Sequence, residues 1–225
     1  MGSVKNVIEA QLVKREPRPS KQKWRGSLLG GCVRAHWYDA NSVPETEPFE
    51  DKLFGIFKVG NVLGEVIVDI LKESGKLVKI EAEVPVEVPE WNFAGNIDAV
   101  VEWEDGKKSV LEFKTESSFA RKFRKGEPKR EHMIQSSSYA AVLDHLGTPV
   151  DDVRVVYIEK DTFSIDEYII PSEWKDRALR TIGVLNYYGD RTPPRIPDAW
   201  AKSPKGELKY PCSYCRWKTA CRSSR

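Results

Sequence analysis

The sequence predicts a mixed α/β fold, in which a central sheet is flanked by helices and a C-terminal cysteine cluster is joined to an N-terminal cysteine. Three observations support this prediction. An amphipathic helix precedes three strand-like segments, a second helix precedes two further strands, and four cysteines stand near the two ends of the chain. With 225 residues, 40% of them hydrophobic and 31% charged, the chain can bury a core, which excludes the intrinsically disordered class.

Periodic apolar residues predict helices in the first third of the chain. A helix at Val4–Val13 lies within a polar arm, and the segment Ser27–Asn41 that follows holds Cys32 and a helical stretch. Lys58–Lys72 is the clearest helix, because its apolar residues recur every three or four positions and a glycine follows its end. The apolar stripe of this helix comprises Val59, Val62, Leu63, Val66, Ile67, Ile70 and Leu71.

Three strand-like segments follow this helix. Val78–Val88 contains Pro85, which indicates an edge strand or a bulge. Gly95–Trp103 and Ser109–Lys114 are joined by Glu104-Asp105-Gly106-Lys107, a typical hairpin turn. We therefore expect these two strands to pair with each other.

The second half of the chain alternates helices and strands. A helix at Met133–Leu146 precedes strands at Val153–Tyr157 and Asp166–Ile170, and a serine cap begins a further helix at Ser172–Tyr188. The proline-rich residues 190–211 are irregular and lead to the cysteines. This order fits one mixed α/β domain.

The spacing of the cysteines indicates a metal centre. Cys212, Cys215 and Cys221 form a C-x2-C-x5-C pattern, and thiolates two residues apart can wrap around one inorganic centre. A fourth thiolate is needed, and Cys32 is the one other cysteine of the chain. We therefore expect a metal centre that joins the two ends of the chain.

These observations predict three parts of the chain. Residues 1–25 form an N-terminal arm, residues 26–50 and 190–225 form the cysteine-cluster subdomain, and residues 51–189 form the core. The chain has no apolar run of membrane-spanning length, and its N-terminal segment lacks the apolar part of a signal peptide. We expect a cytoplasmic, reducing location, where C-x2-C binds metal more often than it forms a disulfide.

The net charge of +2 conceals a segregated distribution of charge. Residues 14–25, 121–130 and 202–225 are strongly basic, whereas residues 39–116 hold 18 acidic and 8 basic side chains. An acidic centre between basic segments suits a cation-dependent site that acts on a polyanion. Solvated faces of an ordinary domain would give the same distribution.

The predicted hairpin contains residues that suit phosphodiester hydrolysis. Glu112 and Lys114 stand two apart in one strand and so point to the same face, and the hairpin can bring Asp98 beside them. Two carboxylates can hold a hard divalent cation, and an adjacent ammonium can orient an attacking water. The Glu-x-Lys pattern occurs five times in the chain, so by itself it equally indicates a surface ion pair.

Asp98, Glu112 and Lys114 together resemble the motifs of the PD-(D/E)xK nuclease superfamily. Gln135 and Tyr139, four residues apart on a predicted helix, resemble the Q-x-x-x-Y motif of its RecB-like branch. The cysteines add a resemblance to the iron–sulfur nucleases of that branch, over nearly the whole chain. These include the CRISPR-associated exonuclease of spacer acquisition, the AddB nuclease domain and related phage exonucleases.

The resemblance implies a restriction-endonuclease-like core and an exonuclease of single-stranded DNA or DNA ends, in a prokaryotic or phage-infected cell. Asp98, Glu112 and the Phe113 carbonyl would hold Mg²⁺ or Mn²⁺, and Lys114 would position and activate water. Gln135 and Tyr139 would orient Lys114 or the DNA backbone.

The resemblance also implies a structural 4Fe-4S cluster on the four cysteines Cys32, Cys212, Cys215 and Cys221. Four thiolates bind zinc equally well, so the spacing leaves zinc open. Protein partners in a recombination or CRISPR adaptation complex would follow from the same resemblance. Repair, phage DNA metabolism and spacer processing all remain open as the pathway.

One position departs from the family pattern. The family usually places a metal-binding histidine in the helix before the strands, four residues after a glycine, but Gly64 stands there after Gly60. Either Glu65 replaces the histidine through a local distortion, or the cation has fewer protein ligands and more water. The alternative function is therefore a catalytically degraded nucleic-acid-binding module with a four-cysteine metal site.

A basic and aromatic segment directly follows the Glu112 strand. Single-stranded DNA is bound by such mixtures, because rings stack on bases and cations contact phosphates. We expect this segment to contact DNA, with a mobile solvated loop as the alternative. Its basic residues are Arg121, Lys122, Arg124 and Lys125, interleaved with Phe119 and Phe123.

Overall fold

One six-stranded mixed sheet organises the computed structural model, which describes residues 3–12 and 23–223. The strands are β1 (Trp24–Arg25), β2 (Leu77–Val88), β3 (Phe93–Trp103), β4 (Lys108–Glu116), β5 (Asp152–Glu159) and β6 (Ile165–Ile169). They lie in the order β1-β3-β4-β5-β6, and β2 pairs with β3. The β1–β3 and β4–β5 pairs are parallel and the other pairs are antiparallel. The predicted mixed α/β class is confirmed.

Helices precede, follow and connect these strands. In the described part of the chain they are α1 (Val4–Leu12), α2 (Val33–Ala40), α3 (Asp51–Glu73), α4 (Ser118–Arg124), α5 (Arg130–His145), α6 (Glu173–Tyr188), α7 (Asp198–Ala201) and α8 (Lys218–Ser223). Short 3-10 helices lie at Gly26–Leu28, Pro89–Trp91 and Cys212–Tyr214. Over the same residues, no helix has both the length and the apolar character that crossing a membrane requires.

Several element boundaries differ from the prediction. α3 begins at Asp51 rather than Lys58, and the carboxylate in its first turn complements the helix dipole. The sequence does not predict α4, whose N-cap is Ser117; its hydroxyl accepts a hydrogen bond from the Ala120 backbone N–H at 3.2 Å. β1 is also not predicted, because a two-residue strand leaves no periodic pattern.

The N-terminal part of the prediction is only partly within the described residues. The helix predicted at Val4–Val13 is present as α1, which ends at Leu12. Most of the basic segment 14–25 and the end of the predicted arm fall on residues 13–22, which lie outside the described residues. The arm therefore stays a prediction.

The chain divides into two compact units. Of the described residues, the first unit contains 3–12, 31–59 and 188–223, and the second unit contains 23–30 and 60–187. The whole sheet belongs to the second unit, and all four cysteines belong to the first. The three-part division predicted from the sequence stays a prediction.

An apolar core lies on one face of the sheet in the second unit. It is formed by α3, β2, β3 and β4, and its members are Val68, Ala99, Val101 and Leu111 with Leu71, Leu77, Ile80, Trp103 and Phe113 around them. The buried face of α3 is narrower than the predicted stripe, because Val59, Val62, Val66 and Ile70 are 40–50% exposed. Alternation along β4 places Leu111 and Phe113 on this face, so Glu112 and Lys114 point to the other.

α5 is buried although it carries three consecutive serines. Ser136, Ser137 and Ser138 are all fully buried, between Gln135 and Tyr139. The Ser136 hydroxyl donates to the His132 carbonyl at 2.9 Å, and the Ser138 hydroxyl donates to the Gln135 carbonyl at 2.6 Å. Because these hydroxyls bond to their own helix, α5 can lie against the sheet without unsatisfied donors.

A buried arginine fixes α4 against the sheet. The Arg124 guanidinium bonds to Glu116 at 2.8 and 3.0 Å through two nitrogens, to the Tyr168 hydroxyl at 2.5 Å, and to Asp166. It also lies over the ring of Tyr157, with its Cζ 4.1 Å from the ring centroid. A paired guanidinium in this setting is costly to remove, because its removal leaves Glu116 buried with an uncompensated charge.

The Arg124→Ala variant should therefore lower the free energy of unfolding by about 3–5 kcal/mol. Urea denaturation followed by circular dichroism measures this loss. The control is Lys122→Ala on the same helix, whose exposed side chain should change stability by less than about 0.5 kcal/mol. Equal losses in the two variants would show that the Arg124 network does not hold α4.

Candidate active site

The paired strands β3 and β4 bring Asp98, Glu112 and Lys114 together. Ala99 lies opposite Leu111 in the antiparallel register, which places Asp98 beside Glu112. The Phe113 backbone N–H donates to Asp98 Oδ2 at 2.7 Å, and Lys114 Nζ lies 2.5 Å from Glu112 Oε1. The grouping expected from the hairpin is therefore present on the face of β4 that points away from α3.

The Glu112 carboxylate is buried with Lys114 as its one partner. Its side chain is 0% exposed, Lys114 Nζ lies 2.5 Å from Oε1 as an ion pair, and no other described residue bonds to either carboxylate oxygen. Burial raises the pKa of Glu112 to about 8, the charge of Lys114 opposes this rise, and the charge of Asp98 adds to it. A buried carboxylate whose Oε2 has no donor is suited to a bound cation.

Glu112 has two charged neighbours, the carboxyl group of Asp98 and the amino group of Lys114, and their pKa values are both shifted. Burial raises the pKa of Asp98, although Lys114 and the Phe113 N–H bond oppose the rise. Burial disfavours the charge of Lys114, but Glu112 and Asp98 outweigh it, so the pKa of Lys114 is raised. Lys114 is therefore an ammonium at neutral pH, which can donate hydrogen bonds but cannot act as a base.

α5 contributes Gln135 and Tyr139 to the same place. The Gln135 side chain is hydrogen-bonded to the Tyr139 hydroxyl, and both residues line a cavity of about 580 Å³ together with Asp98. Burial raises the pKa of Tyr139, and the charge of Glu112 raises it further. The Tyr139 hydroxyl therefore keeps its proton. The structure thus brings together the five residues that the sequence singled out for catalysis.

Two glycines make room for the Tyr139 ring. A Cβ atom at Gly26 or at Gly95 would lie 2.6 Å from Tyr139 Cε1, closer than real side chains approach. The Gly95-x-x-Asp98 pattern therefore has a physical reason, because the position three residues before Asp98 must lack a side chain for Tyr139 to reach the site.

The cavity also has polar residues that the sequence did not indicate. Arg25, Ser27 and Asn96 line it, the first two from the segment around β1 and the third from β3. Asn96 donates to the carboxylate of Glu83 on β2 at 3.3 Å. No sequence signal could identify Arg25 or Ser27, because their position depends on the two-residue pairing of β1 with β3. Asn96 lies within the Gly95–Asp98 stretch of the sequence, and this position is the signal that could have identified it as a residue of the cavity.

The helix α3 does not supply the ligand that the family pattern expects. A Cβ atom at Gly64 would meet Phe113 Cδ2 at 4.0 Å, so this position faces the apolar side of β4. Glu65 is exposed, and α3 is an uninterrupted α-helix through it. The local distortion that would let Glu65 replace a histidine is therefore absent from α3.

The basic and aromatic segment is partly engaged in the fold. Arg124 is buried in its network, and Arg121 bonds to Glu159 at 2.7 Å and to Asp166 at 2.7 and 3.0 Å. For Arg124 this indicates a structural role instead of the expected DNA contact. Lys122 and Lys125 are exposed. Phe119 and Phe123, 71% and 70% exposed, pack edge to face with ring centroids 4.8 Å apart.

The four cysteines lie near one another within the first unit. Cys32 is the N-cap of α2, Cys212 lies in a 3-10 helix, Cys215 follows it and Cys221 lies in α8. Burial raises the pKa of Cys32, and the neighbouring Cys212 and Cys221 raise it further. Burial raises the pKa of Cys215, and the other three thiols raise it further. The cysteines form no disulfide with one another, and all four are half-buried.

Contacts other than the thiols also hold the C-terminal segment to α2. Trp217 Nε1 donates to the Val43 carbonyl at 2.8 Å, and its ring centroid lies 5.9 Å from that of Tyr38. Arg216 bonds to Asp39 at 3.0 Å and to Glu45 at 2.6 Å. Arg222 donates to Cys212 Sγ at 3.1 Å, which places a positive charge beside the thiols. Within residues 3–12 and 23–223, however, no three His, Cys, Asp or Glu side chains are arranged to hold a metal ion.

Comparisons with known proteins add a family and a fold. Residues 11–222 match the sequence model of the PD-(D/E)XK nuclease superfamily. No curated protein sequence matches the chain. The crystal structure of SSO0001 superposes with a TM-score of 0.56 at 20% identity, over 98% of this chain and 96% of that chain, which shows a shared fold.

Two further matches are structures of one enzyme from Laribacter hongkongensis. The alkaline exonuclease LHK-Exo superposes with a TM-score of 0.45, and LHK-Exo in complex with dAMP with 0.43. Each is 15% identical and covers 73% of this chain and 90% of the other.

The burial of Glu112 should make stability depend on pH in the presence of EDTA. Because the pKa in the folded state, about 8, exceeds the ordinary value of 4.5, the folded protein binds a proton that the unfolded chain releases. This stabilisation is complete below the unfolded pKa and is lost as the pH rises through the folded one, at up to about 1.4 kcal/mol per pH unit.

Urea denaturation between about pH 5 and pH 9 measures this effect. The free energy of unfolding should fall more steeply with pH in the wild type than in Glu112→Gln, which has no proton to lose. Glu104→Gln, in the exposed hairpin turn, should follow the wild type. A Glu112→Gln curve parallel to the wild-type curve would contradict the raised pKa.

Proposed function

Because the chain belongs to the PD-(D/E)XK nuclease superfamily, we propose that it is a metal-dependent deoxyribonuclease, an exonuclease of single-stranded DNA or DNA ends. One observation carries the proposal. The Glu112 carboxylate is fully buried beside Asp98; the Lys114 ammonium lies 2.5 Å from its Oε1, and its Oε2 has no partner among the described residues. A buried carboxylate that keeps one oxygen without a partner can accept a divalent cation there.

Asp98, Glu112 and the carbonyl of Phe113 would hold Mg²⁺ or Mn²⁺. Hard oxygen ligands of this kind suit both ions, which also keep several waters. The cation, when bound, would polarise the phosphodiester and offset the negative charge that develops during hydrolysis.

The protein's own groups would position water and substrate. Lys114, held as an ammonium by Glu112 and Asp98, would donate to the attacking water and orient it. Tyr139 keeps its proton, and its hydrogen bond with Gln135 orients the hydroxyl. This hydroxyl can then donate to a phosphate oxygen in the cavity. Arg25 lines the same cavity and supplies a positive charge for the substrate backbone.

The exposed residues of α4 favour the proposal that the substrate is single-stranded. Phe119 and Phe123 are exposed and pack against each other, and exposed aromatic rings stack on unpaired bases. Lys122 and Lys125 flank them with solvated positive charges, which suit phosphate contacts. Of the four basic residues first expected to bind DNA, these two lysines are the ones that the structure leaves exposed.

The four cysteines would hold a structural 4Fe-4S cluster. Their mutual proximity in the first unit and the guanidinium of Arg222 beside Cys212 support a centre that carries negative charge. Zinc is the alternative metal. Cys32 is remote in sequence from the other three cysteines, so a centre on all four would tie α2 to the C-terminal segment.

Replacing Asp98, Glu112 or Lys114 by Ala should each lower the rate of cleavage by roughly a hundredfold or more, because each removes a group that acts on the reacting phosphate. The assay follows end-labelled single- and double-stranded DNA with anaerobically purified protein and Mn²⁺. DNA binding, measured by fluorescence anisotropy, should remain.

Glu104→Ala, which removes an exposed carboxylate from the β3–β4 turn, is the matched control and should cleave at the wild-type rate. Wild-type cleavage by any of the three site variants would overturn the assignment of that residue. A wild-type protein that binds DNA but cleaves none of it with Mg²⁺ or Mn²⁺ would favour the non-catalytic nucleic-acid-binding module.

Protein purified without oxygen should be brown, with absorbance near roughly 400 nm from thiolate-to-iron charge transfer. Cys32→Ala should lose iron and melt at a lower temperature, because ligand bonds formed only in the folded state contribute to its stability. Iron content and differential scanning fluorimetry measure the two effects.

Ser213→Ala, between two of the cysteines in sequence, is the control and should retain iron. Full iron content and an unchanged melting temperature in Cys32→Ala would refute the four-cysteine site. A colourless wild type with one zinc per chain would keep the site but replace the cluster.

A further inference from the structure

The first unit exposes three large aromatic side chains between α7 and α8. Trp200 is 73% exposed, Tyr210 is 63% exposed and Tyr214 is 80% exposed. They are the large apolar side chains that residues 195–218 expose, and the structure describes all of these residues. Single exposed rings are ordinary on a protein surface, whereas three in one short segment indicate an interaction surface.

A short hairpin brings Trp200 and Tyr210 together. Residues 201–209 contain an antiparallel bridge, and the Lys209 N–H donates to the Ala201 carbonyl at 2.8 Å. Trp200 and Tyr210 are the next residues on the two sides of this bonded pair, so their backbones lie side by side. Ala201 is buried, which fixes the base of the hairpin within the first unit.

A turn adds Tyr214 to these two rings. The Ser213 N–H donates to the Lys209 carbonyl at 2.9 Å, and the Tyr214 N–H donates to the Pro211 carbonyl at 3.3 Å. These bonds fold the chain back on itself, so Tyr214 stays close to Tyr210. The three rings therefore stand on one hydrogen-bonded piece of backbone, which loses little entropy when a ligand binds.

Positive charge accompanies the rings. Residues 195–218 hold six basic and two acidic side chains. Lys205 near the tip of the hairpin and Lys209 at its base are exposed. Of the two acidic residues, Glu207 is exposed, whereas Asp198 is ion-paired with basic side chains at 2.6 and 3.0 Å. The segment therefore attracts a polyanion.

The composition of this segment distinguishes between classes of ligand. Protein interfaces are depleted in lysine, and a membrane-binding face carries aliphatic as well as aromatic residues. The helix α3 exposes an aliphatic face of that kind, formed by Val59, Val62, Val66 and Ile70. Residues 195–218 instead combine rings with lysines, and unpaired bases stack on rings while lysines contact the phosphates. The bases of a duplex already stack on one another, so the combination favours a single strand.

We propose that Trp200, Tyr210, Tyr214, Lys205 and Lys209 form a second binding site for single-stranded DNA, called the hairpin site below. It belongs to the first unit, whereas the exposed rings of α4 belong to the second. Its rings would stack on unpaired bases and its lysines would contact the phosphates between them. The choice of DNA as the ligand rests on the proposed function, but binding at the hairpin site requires neither a cation nor hydrolysis.

Binding of oligothymidine to the full-length protein in EDTA tests the hairpin site without cleavage. Fluorescence anisotropy of a labelled strand of about 15 nucleotides gives the affinity. Trp200→Ala, Tyr210→Ala and Tyr214→Ala should each weaken binding about fivefold to a hundredfold, the effect of removing one stacked ring. Because the three side chains are exposed, the melting temperatures of these variants should equal that of the wild type.

Two further measurements separate stacking from charge. Trp200→Phe keeps a ring, so its affinity should stay within about twofold of the wild type, while the quenching of tryptophan fluorescence by the bound strand should decrease. Replacing Lys205 and Lys209 together by Ala should reduce the slope of log affinity against log salt by about 1.4, since each phosphate contact contributes about 0.7. The three ring variants should leave this slope unchanged.

Tyr187→Ala is the matched control, because it removes a ring of α6 that is 68% exposed and lies outside the hairpin site. It should bind oligothymidine as the wild type does. Wild-type affinity in the variant that lacks all three rings would overturn the hairpin site. Equal weakening of duplex and single-stranded binding would also overturn it, because the segment would then attract only the phosphate backbone.

The remaining outcomes separate the hairpin site from its rivals and from the proposed nuclease activity. If sedimentation shows a wild-type dimer that Trp200→Ala converts to a monomer, the segment is a protein interface and the hairpin site fails. If the ring variants lose affinity but the wild type cleaves no DNA with Mg²⁺ or Mn²⁺, the proposed catalytic function fails and the hairpin site stands.

Discussion

The buried carboxylate of Glu112 is the constraint on which the arrangement of the second unit depends. β4 lies between β3 and β5, so Glu112 sits at the middle of the sheet, where an ionised group with a single partner is expensive. Lys114 lowers that cost and Asp98 adds to it. The surrounding elements therefore exclude water from Glu112 and leave its Oε2 without a partner among the described residues. A fold selected for stability alone would satisfy that oxygen, and the departure indicates a function for it.

The placement of α5 follows from the same site. A helix that carries Gln135 and Tyr139 toward the cavity must lie close to β3 and to the 3-10 helix before α2, and a Cβ on Gly26 or Gly95 would collide with the tyrosine ring. Ser136 and Ser138 of α5 bond back to their own helix, and the three consecutive serines add little bulk, which allows this close approach. The motif residues and the small residues around them therefore form one packing arrangement.

The sequence could predict those parts of the fold and site that depend on local periodicity. The alternation of side chains along β4 predicted that Glu112 and Lys114 share one face, and the hairpin turn predicted that Asp98 lies beside them. The four-residue spacing predicted that Gln135 and Tyr139 share one face of their helix. It could not predict what depends on distant partners. The burial of Arg124 requires Glu116 and Asp166, which only the fold brings to it.

Two other features could not be predicted from local sequence patterns either. β1 is two residues long and places Arg25 at the cavity only by pairing with the start of β3. The left-handed backbone of Glu83 has no signal in the sequence, because glutamate is not a residue that favours a positive φ.

The basic segment after β4 shows why composition alone could not separate structure from binding. Arg124 is buried and Arg121 is ion-paired with Glu159 and Asp166, whereas both lysines are exposed, although the four residues are neighbours in sequence. The planar guanidinium of Arg124 bonds to a carboxylate through two nitrogens and stacks on an aromatic ring, which an ammonium cannot do. Lysine is strongly hydrated and keeps its charge in water on a flexible stem, where a phosphate backbone can reach it. The chemistry of the two cations therefore explains why Arg124 stabilises the fold and why the lysines are available to the substrate. Lys122 and Lys125 remain beside the exposed phenylalanines.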